Sequence, residues 1–294
     1  MGRRYAQAVQ RRVDAEVVAI VDPFSTKGEW PQYEDCATMV RAQQVDGAII
    51  ASPSSTHAAF ARELLLAGVP ILVEKPLALS SRDAASLVTL SERVGVPLLV
   101  GHIERFNPAV WAARDWLREG RLGDLIAIGT HRSGPPPRGN PGETNVISDL
   151  AIHDLDIVAW LFDRSPRALM TWVRPSDLEG LCSVEIRMDF GNASGIVRAS
   201  WSNSERIRTL RIHGSAASLA IDYREQRVFA GTRELKTHPR DQLDSQLDNF
   251  LAVILGNEVP RAGGLVGWAA VELAERAIHS ANEGIHARAS AGCG

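Results

Sequence analysis

Residues 45–101 read VDGAIIASPSSTHAAFARELLLAGVPILVEKPLALSSRDAASLVTLSERVGVPLLVG, and their rhythm decides the fold. Three short apolar runs, VDGAIIAS (45–52), PILVE (70–74) and VPLLVG (96–101), are separated by two stretches of helical pattern. Ser54 or Ser55 can cap the first helix, which runs to Leu66 and is stopped by Gly68. Ser80 or Ser81 can cap the second, which Gly95 ends. A further run, EVVAIVD (16–22), precedes them, with a helical pattern over 33–44 in between. Strand and helix alternating at this spacing predict right-handed crossovers and a parallel sheet. The runs are continuously apolar, as expected of strands covered on both faces.

Outward from that stretch the texture changes. After about residue 104 come a helix (108–119), a strand-like run (125–131), a Pro/Gly loop (133–142) and a helical stretch (146–162). Strands and tight turns fill 167–229, with Gly191-Asn192 as one turn, and two helices follow near 242–255 and 265–281. The expected architecture is an α/β Rossmann-type, doubly wound domain over 1–103. An α+β domain with a largely antiparallel sheet is expected over 104–294.

Bulk composition fits a two-domain globular chain: 294 residues, 45% hydrophobic, 23% charged, formal net charge −3. That balance argues against nucleic acid or an anionic membrane as the main partner. No apolar stretch reaches the ~18 residues that span a bilayer. The N-terminus has no apolar run that would mark a signal peptide. Cys36, Cys182 and Cys293 lie far apart and without zinc spacing, so reduced thiols in a cytoplasmic protein are expected.

In an open parallel sheet, ligands sit beyond the carboxyl ends of the strands. Asp22 ends one such run. Its carboxylate can accept hydrogen bonds from the ribose hydroxyls of NAD and would repel the 2′-phosphate of NADP; the plainer reading is a turn before Pro23. Gly2 would be the third glycine of a G-x-G-x-x-G fingerprint whose helix begins at once. The strand and first two glycines of that fingerprint do not precede it in 1–294. The expectation is therefore of a natural start upstream, with a break between the 16–22 and 45–52 strands; the rival is a variant that lost cofactor binding.

Glu74-Lys75-Pro76 after PILV, and Ala51-Ser52-Pro53 with His57 before it, resemble the glucose-fructose oxidoreductase/inositol dehydrogenase (GFO/IDH/MocA) family. The resemblance covers essentially the whole chain. It extends to Asp149-Leu-Ala-Ile-His153-Asp-Leu-Asp156, similar to the family's D-x-x-x-H-x-x-D. On a helix, residues four apart share a face, so Asp149 can hold His153, and His153 can accept a proton near neutral pH. The resemblance implies NAD as cofactor, bound by Gly2, Asp22, Ser52, Pro53, His57, Glu74 and Lys75. It implies Lys75 and His153 as catalytic groups, with Asp149 as partner of His153 and a contact of the substrate. Asp156 is expected to be structural. A metal site is discounted, since no third ligand is suggested. Taken alone, E-K-P would read as a solvated turn and the Asp/His pair as a polar helix face.

GHIERFNP (101–108) and RSGPPP (132–137) are similar to the branch that includes UDP-N-acetylglucosamine 3-dehydrogenases. That implies a nucleotide-sugar substrate met by Arg105, Asn107 and Arg132, with Arg138 as a further candidate, because guanidinium suits phosphate oxygens. The alternative is that Arg105 and Asn107 brace the domain junction. Ser133, where Val is usual, and the Gly/Pro-rich loop depart from that branch. The rivals are an inositol or free-sugar dehydrogenase and a non-catalytic, cofactor-sensing regulator or partner subunit. A homo-oligomer, dimer or tetramer, is expected on the resemblance.

Overall fold

A computed structural model describes residues 1–23, 29–136, 144–173, 181–201 and 206–291. In chain order the first elements are α1 (Gly2–Gln10), β1 (Ile20–Val21), β2 (Gln32–Tyr33), α2 (Cys36–Ala42), β3 (Ala48–Ile50), α3 (His57–Leu66), β4 (Ile71–Val73), α4 (Ser81–Val94) and β5 (Leu98–Val100). Then follow α5 (Pro108–Arg118), β6 (Leu125–Gly134), α6 (Ile152–Phe162), β7 (Ala168–Val173), β8 (Ser183–Asp189), β9 (Ser194–Trp201) and β10 (Ile207–Gly214). The last are β11 (Ser218–Asp222), β12 (Arg227–Ala230), β13 (Arg233–Leu235), α7 (Gln242–Ile254) and α8 (Gly264–Ala291).

Contacts group these into two units, Met1–Ile103 with Asp241–Val271, and Glu104–Arg240 with Glu272–Gly294. The break after Ile103 falls where the texture of the sequence changes. The sequence reading, however, carries the second domain unbroken to residue 294, whereas Asp241–Val271 packs with the first unit. The reason is hydrophobic. Leu243, Leu247, Phe250 and Val253 of α7 bury against Tyr5, Ala8 and Val9 of α1 and against Leu72 and Leu99 of the sheet.

In the first unit β3, β4 and β5 pair in parallel. The residues of β4 and β5 are all buried, as their unbroken apolar runs require. β1 pairs in parallel with β2, a short strand that takes Tyr33 out of the helical pattern expected over 33–44. β1 and β3 belong to separate sheets. Ser80 is the cap of α4, its side chain accepting from the Asp83 N–H, and Gly95 closes that helix at φ 68°.

The second unit is built on an eight-stranded sheet in the order β13-β12-β11-β10-β6-β9-β8-β7. Every pairing is antiparallel except β6 with β9. Its buried face carries Ile128, Ile186, Val197, Leu210 and Ile212. Gly195 lets α6 approach closely, since a Cβ there would sit 2.8 Å from Val158 Cγ1. Among the described residues no helix is long and apolar enough to cross a membrane.

Candidate active site

In the first unit the predicted residues follow the carboxyl ends of three parallel strands. Asp22 comes directly after β1, and its N–H donates to Tyr33 O at 3.1 Å. Ser52 and Pro53 follow β3; Glu74 and Lys75 follow β4. His57 opens α3 and is 1% exposed. Its Nδ1 lies 2.7 Å from Pro76 O and its Nε2 3.0 Å from Ser52 O. One imidazole thus ties together the loops after β3 and β4.

Glu74 is held from several directions. The Tyr5 hydroxyl donates to its Oε1 at 2.8 Å and lies 3.0 Å from Gln246 Oε1. Burial, then the Glu74 charge, hold the Tyr5 phenol well above its ordinary value, so it stays a donor. The Lys75 N–H donates to Glu74 Oε2 at 3.2 Å. Gly101 faces this carboxylate so closely that a Cβ there would be 3.1 Å from Oε2 and 3.2 Å from Glu74 Cα. Tyr5 and Gln246 were not legible as site residues, because Tyr5 meets Glu74 and Gln246 meets Tyr5 from helices at opposite ends of the chain.

These residues fit NAD. The N-cap of α1, Met1, makes no side-chain cap bond, and a Cβ on Gly2 would meet only Ala51 Cβ, at 4.0 Å. A glycine in the first turn of α1 suits the close approach of a pyrophosphate, and an acid directly after β1 suits a ribose diol.

In the second unit Asn145 opens the helix that carries Asp149 and His153. Its Oδ1 accepts from the Ile147 and Ser148 N–H groups, both at 3.0 Å. Ile147–Ala151 form a π turn that runs into α6. Such turns recur at functional sites, because they re-aim side chains within a helix. Asp149, half-buried, lies in that turn and accepts the Trp201 indole N–H at 3.0 Å. His153, also half-buried, follows one turn on.

The two aspartates beyond His153 point into the protein. Asp156, 3% exposed, is gripped by Arg105 through Nε (2.9 Å) and Nη2 (2.7 Å). The Arg105 guanidinium also lies 4.9 Å from the Trp160 ring centroid. Asp154, fully buried, takes Arg132 Nε at 2.9 Å and Nη2 at 3.0 Å, and the same Nη2 reaches Glu104 at 3.0 Å. Burial works against the Arg132 charge, but Asp154 and Glu104 outweigh it and hold the guanidinium above its usual value. Asn107 is fully buried; its Oδ1 caps α5 at Ala109 N, and its Nδ2 donates to Tyr223 O at 3.0 Å. These hydrogen bonds of Arg105, Asn107 and Arg132 all lie within this unit, not at a junction between the two. Arg138 lies outside the described residues.

Residues 1–102 match the family model of the GFO/IDH/MocA oxidoreductases, described as having an NAD-binding Rossmann fold. Residues 110–220 match the GFO/IDH/MocA C-terminal domain. The chain belongs to this family. As a GFO/IDH/MocA protein it is an NAD-dependent oxidoreductase with NAD as cofactor. It is 28% identical to the UDP-N-acetylglucosamine 3-dehydrogenase of Acidithiobacillus ferrooxidans, the alignment covering 76% of this chain and 75% of the relative. It is 26% identical to an inositol 2-dehydrogenase of Rhizobium meliloti, over 96% and 94%. Against the rhizopine catabolism protein MocA of Rhizobium meliloti, at 29% identity, the chain spans about half of the relative's length, 55%, with 56% of its own. The fold is that of the solved Acidithiobacillus ferrooxidans enzyme, with a TM-score of 0.85 at 22% identity over 97% and 95% of the two chains.

Proposed function

We propose that this GFO/IDH/MocA protein oxidises a secondary hydroxyl of a nucleotide sugar, in the manner of a UDP-N-acetylglucosamine 3-dehydrogenase. The observation that carries this reading is that each unit carries one of the two features that such a reaction needs. Lys75 stands directly after a buried parallel strand, and Asp149 and His153 stand on a π turn and the helix it enters. The alignment with the Acidithiobacillus ferrooxidans dehydrogenase, over three quarters of each chain, supports the substrate class.

NAD supplies the hydride acceptor. Gly2, Asp22, Ser52, Pro53, His57, Glu74 and Lys75 hold it, His57 by fixing the loops and Glu74 by fixing the turn before Lys75. Lys75 is the basic group contributed by the first unit, and it steadies the reacting hydroxyl as its proton leaves. His153 receives that proton. Asp149, oriented by the Trp201 indole, polarises His153 and contacts a sugar hydroxyl. Arg105 and Arg132 serve this chemistry by fixing the helix of His153 through Asp156 and Asp154, and Asn107 by capping α5. The chain acts as a homo-oligomer in a cytoplasmic setting.

A second reading is an inositol or free-sugar dehydrogenase. It is favoured by the near full-length alignment with inositol 2-dehydrogenase. The deciding experiment measures NAD binding by calorimetry, then NADH formation with UDP-N-acetylglucosamine and with myo-inositol. Turnover of the nucleotide sugar alone carries the first reading and turnover of inositol alone the second. No NAD binding overturns both.

A further inference from the structure

One guanidinium in the second unit is placed differently from the others. Arg208 on β10 stands directly opposite Arg132 on β6. Both point to the buried face, since Leu210 and Ile212 alternate with Arg208 while Arg211 and His213 face outward. Two like charges in cross-strand register repel. The repulsion is relieved on one side only, because Asp154 and Glu104 both bond to Arg132. Among the described residues Arg208 donates to carbonyls: Nη1 to Ser133 O and, at 2.8 Å, to Ile207 O. Among the described residues no carboxylate lies within ion-pair distance of it.

The surroundings of Arg208 carry charges of both signs. The groups that act on its charge are Arg132 and Arg206, which oppose it, and Asp154 and Glu104, which favour it. Burial, then Arg132, pull the guanidinium down to about 10, so an anion brought to it would restore the balance. Gly134 lies against this guanidinium, since a Cβ there would be 3.6 Å from Nη2. Arg206 borders the same glycine, at 3.4 Å from that Cβ position. Gly134 is in parallel register with Trp201, the residue that holds Asp149. Arg208, Gly134, Trp201 and Asp149 therefore converge at one end of the sheet, within one unit.

We propose that Arg208 is the anion anchor of the substrate site, taking a phosphoryl or carboxylate oxygen of the sugar while Asp149 meets its hydroxyls. This rests on the dehydrogenase reading for its setting and deepens it, because an anchor of this kind selects a charged sugar over a neutral one. The guanidinium fork suits either oxyanion, and the source is read by experiment.

The test titrates three probes by calorimetry into the chain saturated with NAD: UDP for a diphosphate, glucuronate for a sugar carboxylate, and myo-inositol as the neutral control. It is repeated with Arg208→Gln and Arg208→Lys. The expected result is that UDP or glucuronate binds, and that Arg208→Gln loses roughly 10- to 100-fold in its affinity, as for one charged hydrogen bond. Arg208→Lys keeps part of the affinity, and NAD affinity and thermal midpoint stay as in the parent chain. The arm that responds identifies the anion. Equal anion affinity in the parent chain and Arg208→Gln overturns the proposal, and so does a parent chain that binds neither anion. Loss of NAD binding in the parent chain would sink the dehydrogenase reading instead, and the anion titrations without NAD would still decide the role of Arg208.

Discussion

At the scale of single residues, the chemistry rests on side chains whose positions are fixed by others. The Tyr5 hydroxyl is the clearest case, since it donates to Glu74 from a position only 2% exposed. Tyr5→Phe removes the donor but keeps the ring. It should cost about 1.5–3 kcal/mol, the range for a bond to a charged group, read as a lower urea midpoint. It should also weaken NAD binding, because the turn holding Lys75 loses its support. An unchanged NAD affinity in a destabilised variant would mean that Tyr5 only packs. Lys75→Met and His153→Gln test the chemistry itself. Each should lower kcat by roughly 10²–10⁴-fold, the usual contribution of a positioned acid or base. NAD affinity should change little in His153→Gln. Full activity in either variant would remove that residue from the mechanism.

At the scale of elements, the helix α6 with its π turn is the part to perturb. It is fastened by Arg105 through Asp156 and by Arg132 through Asp154. Breaking a buried pair by removing one partner costs about 3–5 kcal/mol, because the other charge is left buried. Asp156→Ala should show a loss of that size in denaturant unfolding. A change below about 1 kcal/mol, the size of an exposed pair, would show that Arg105 finds water in its place. The cap of α5 is more modest in kind but buried: Asn107→Ala loses the bond to Ala109 N and leaves Tyr223 O without its donor. A loss of about 2–4 kcal/mol is expected, the sum of a cap and a buried acceptor. Asn107→Asp, which keeps the cap oxygen but not the amide donor, should recover only part of it.

At the scale of the whole molecule, the first unit is discontinuous, and that has a direct consequence for folding. The α7 side chains Leu243, Leu247, Phe250 and Val253 complete the core formed by α1 and the parallel sheet. A chain ending at residue 240 would expose that surface to water, at roughly 1.5–3 kcal/mol for each large side chain. It should fail to give a cooperative thermal transition by circular dichroism. A truncated chain that melts as sharply as the full one would show that residues 1–103 hold together without α7. For self-association, the exposed Met170 and Trp172 of β7 are the residues to charge. Trp172→Glu should lower the mass seen in sedimentation velocity if the sheet mediates assembly.

Much of this was open to reading from the sequence, for physical reasons that differ by element. Residues 45–101 announce their fold because β4 and β5 are buried on both faces and α4 between them carries its own cap, Ser80, and stop, Gly95, whereas α3 begins after Thr56 without the side-chain cap expected of Ser54 or Ser55. The E-K-P turn and the Asp149–His153 spacing are local patterns, so they too were legible. The role of the arginines was not. Arg105, Arg132 and Arg208 look alike in the sequence. Only the tertiary structure places Asp156 against the first and Asp154 with Glu104 against the second, and leaves the third, among the described residues, without a carboxylate in ion-pair contact. The joining of Asp241–Val271 to the first unit was equally hidden, because an amphipathic helix states that it has an apolar face but not which surface will cover it. Sequence by itself determined most of the elements and the cofactor class, since these depend on neighbours a few residues away. The tertiary structure decided which charges are satisfied and which helix completes which core, since those depend on partners far apart in the chain.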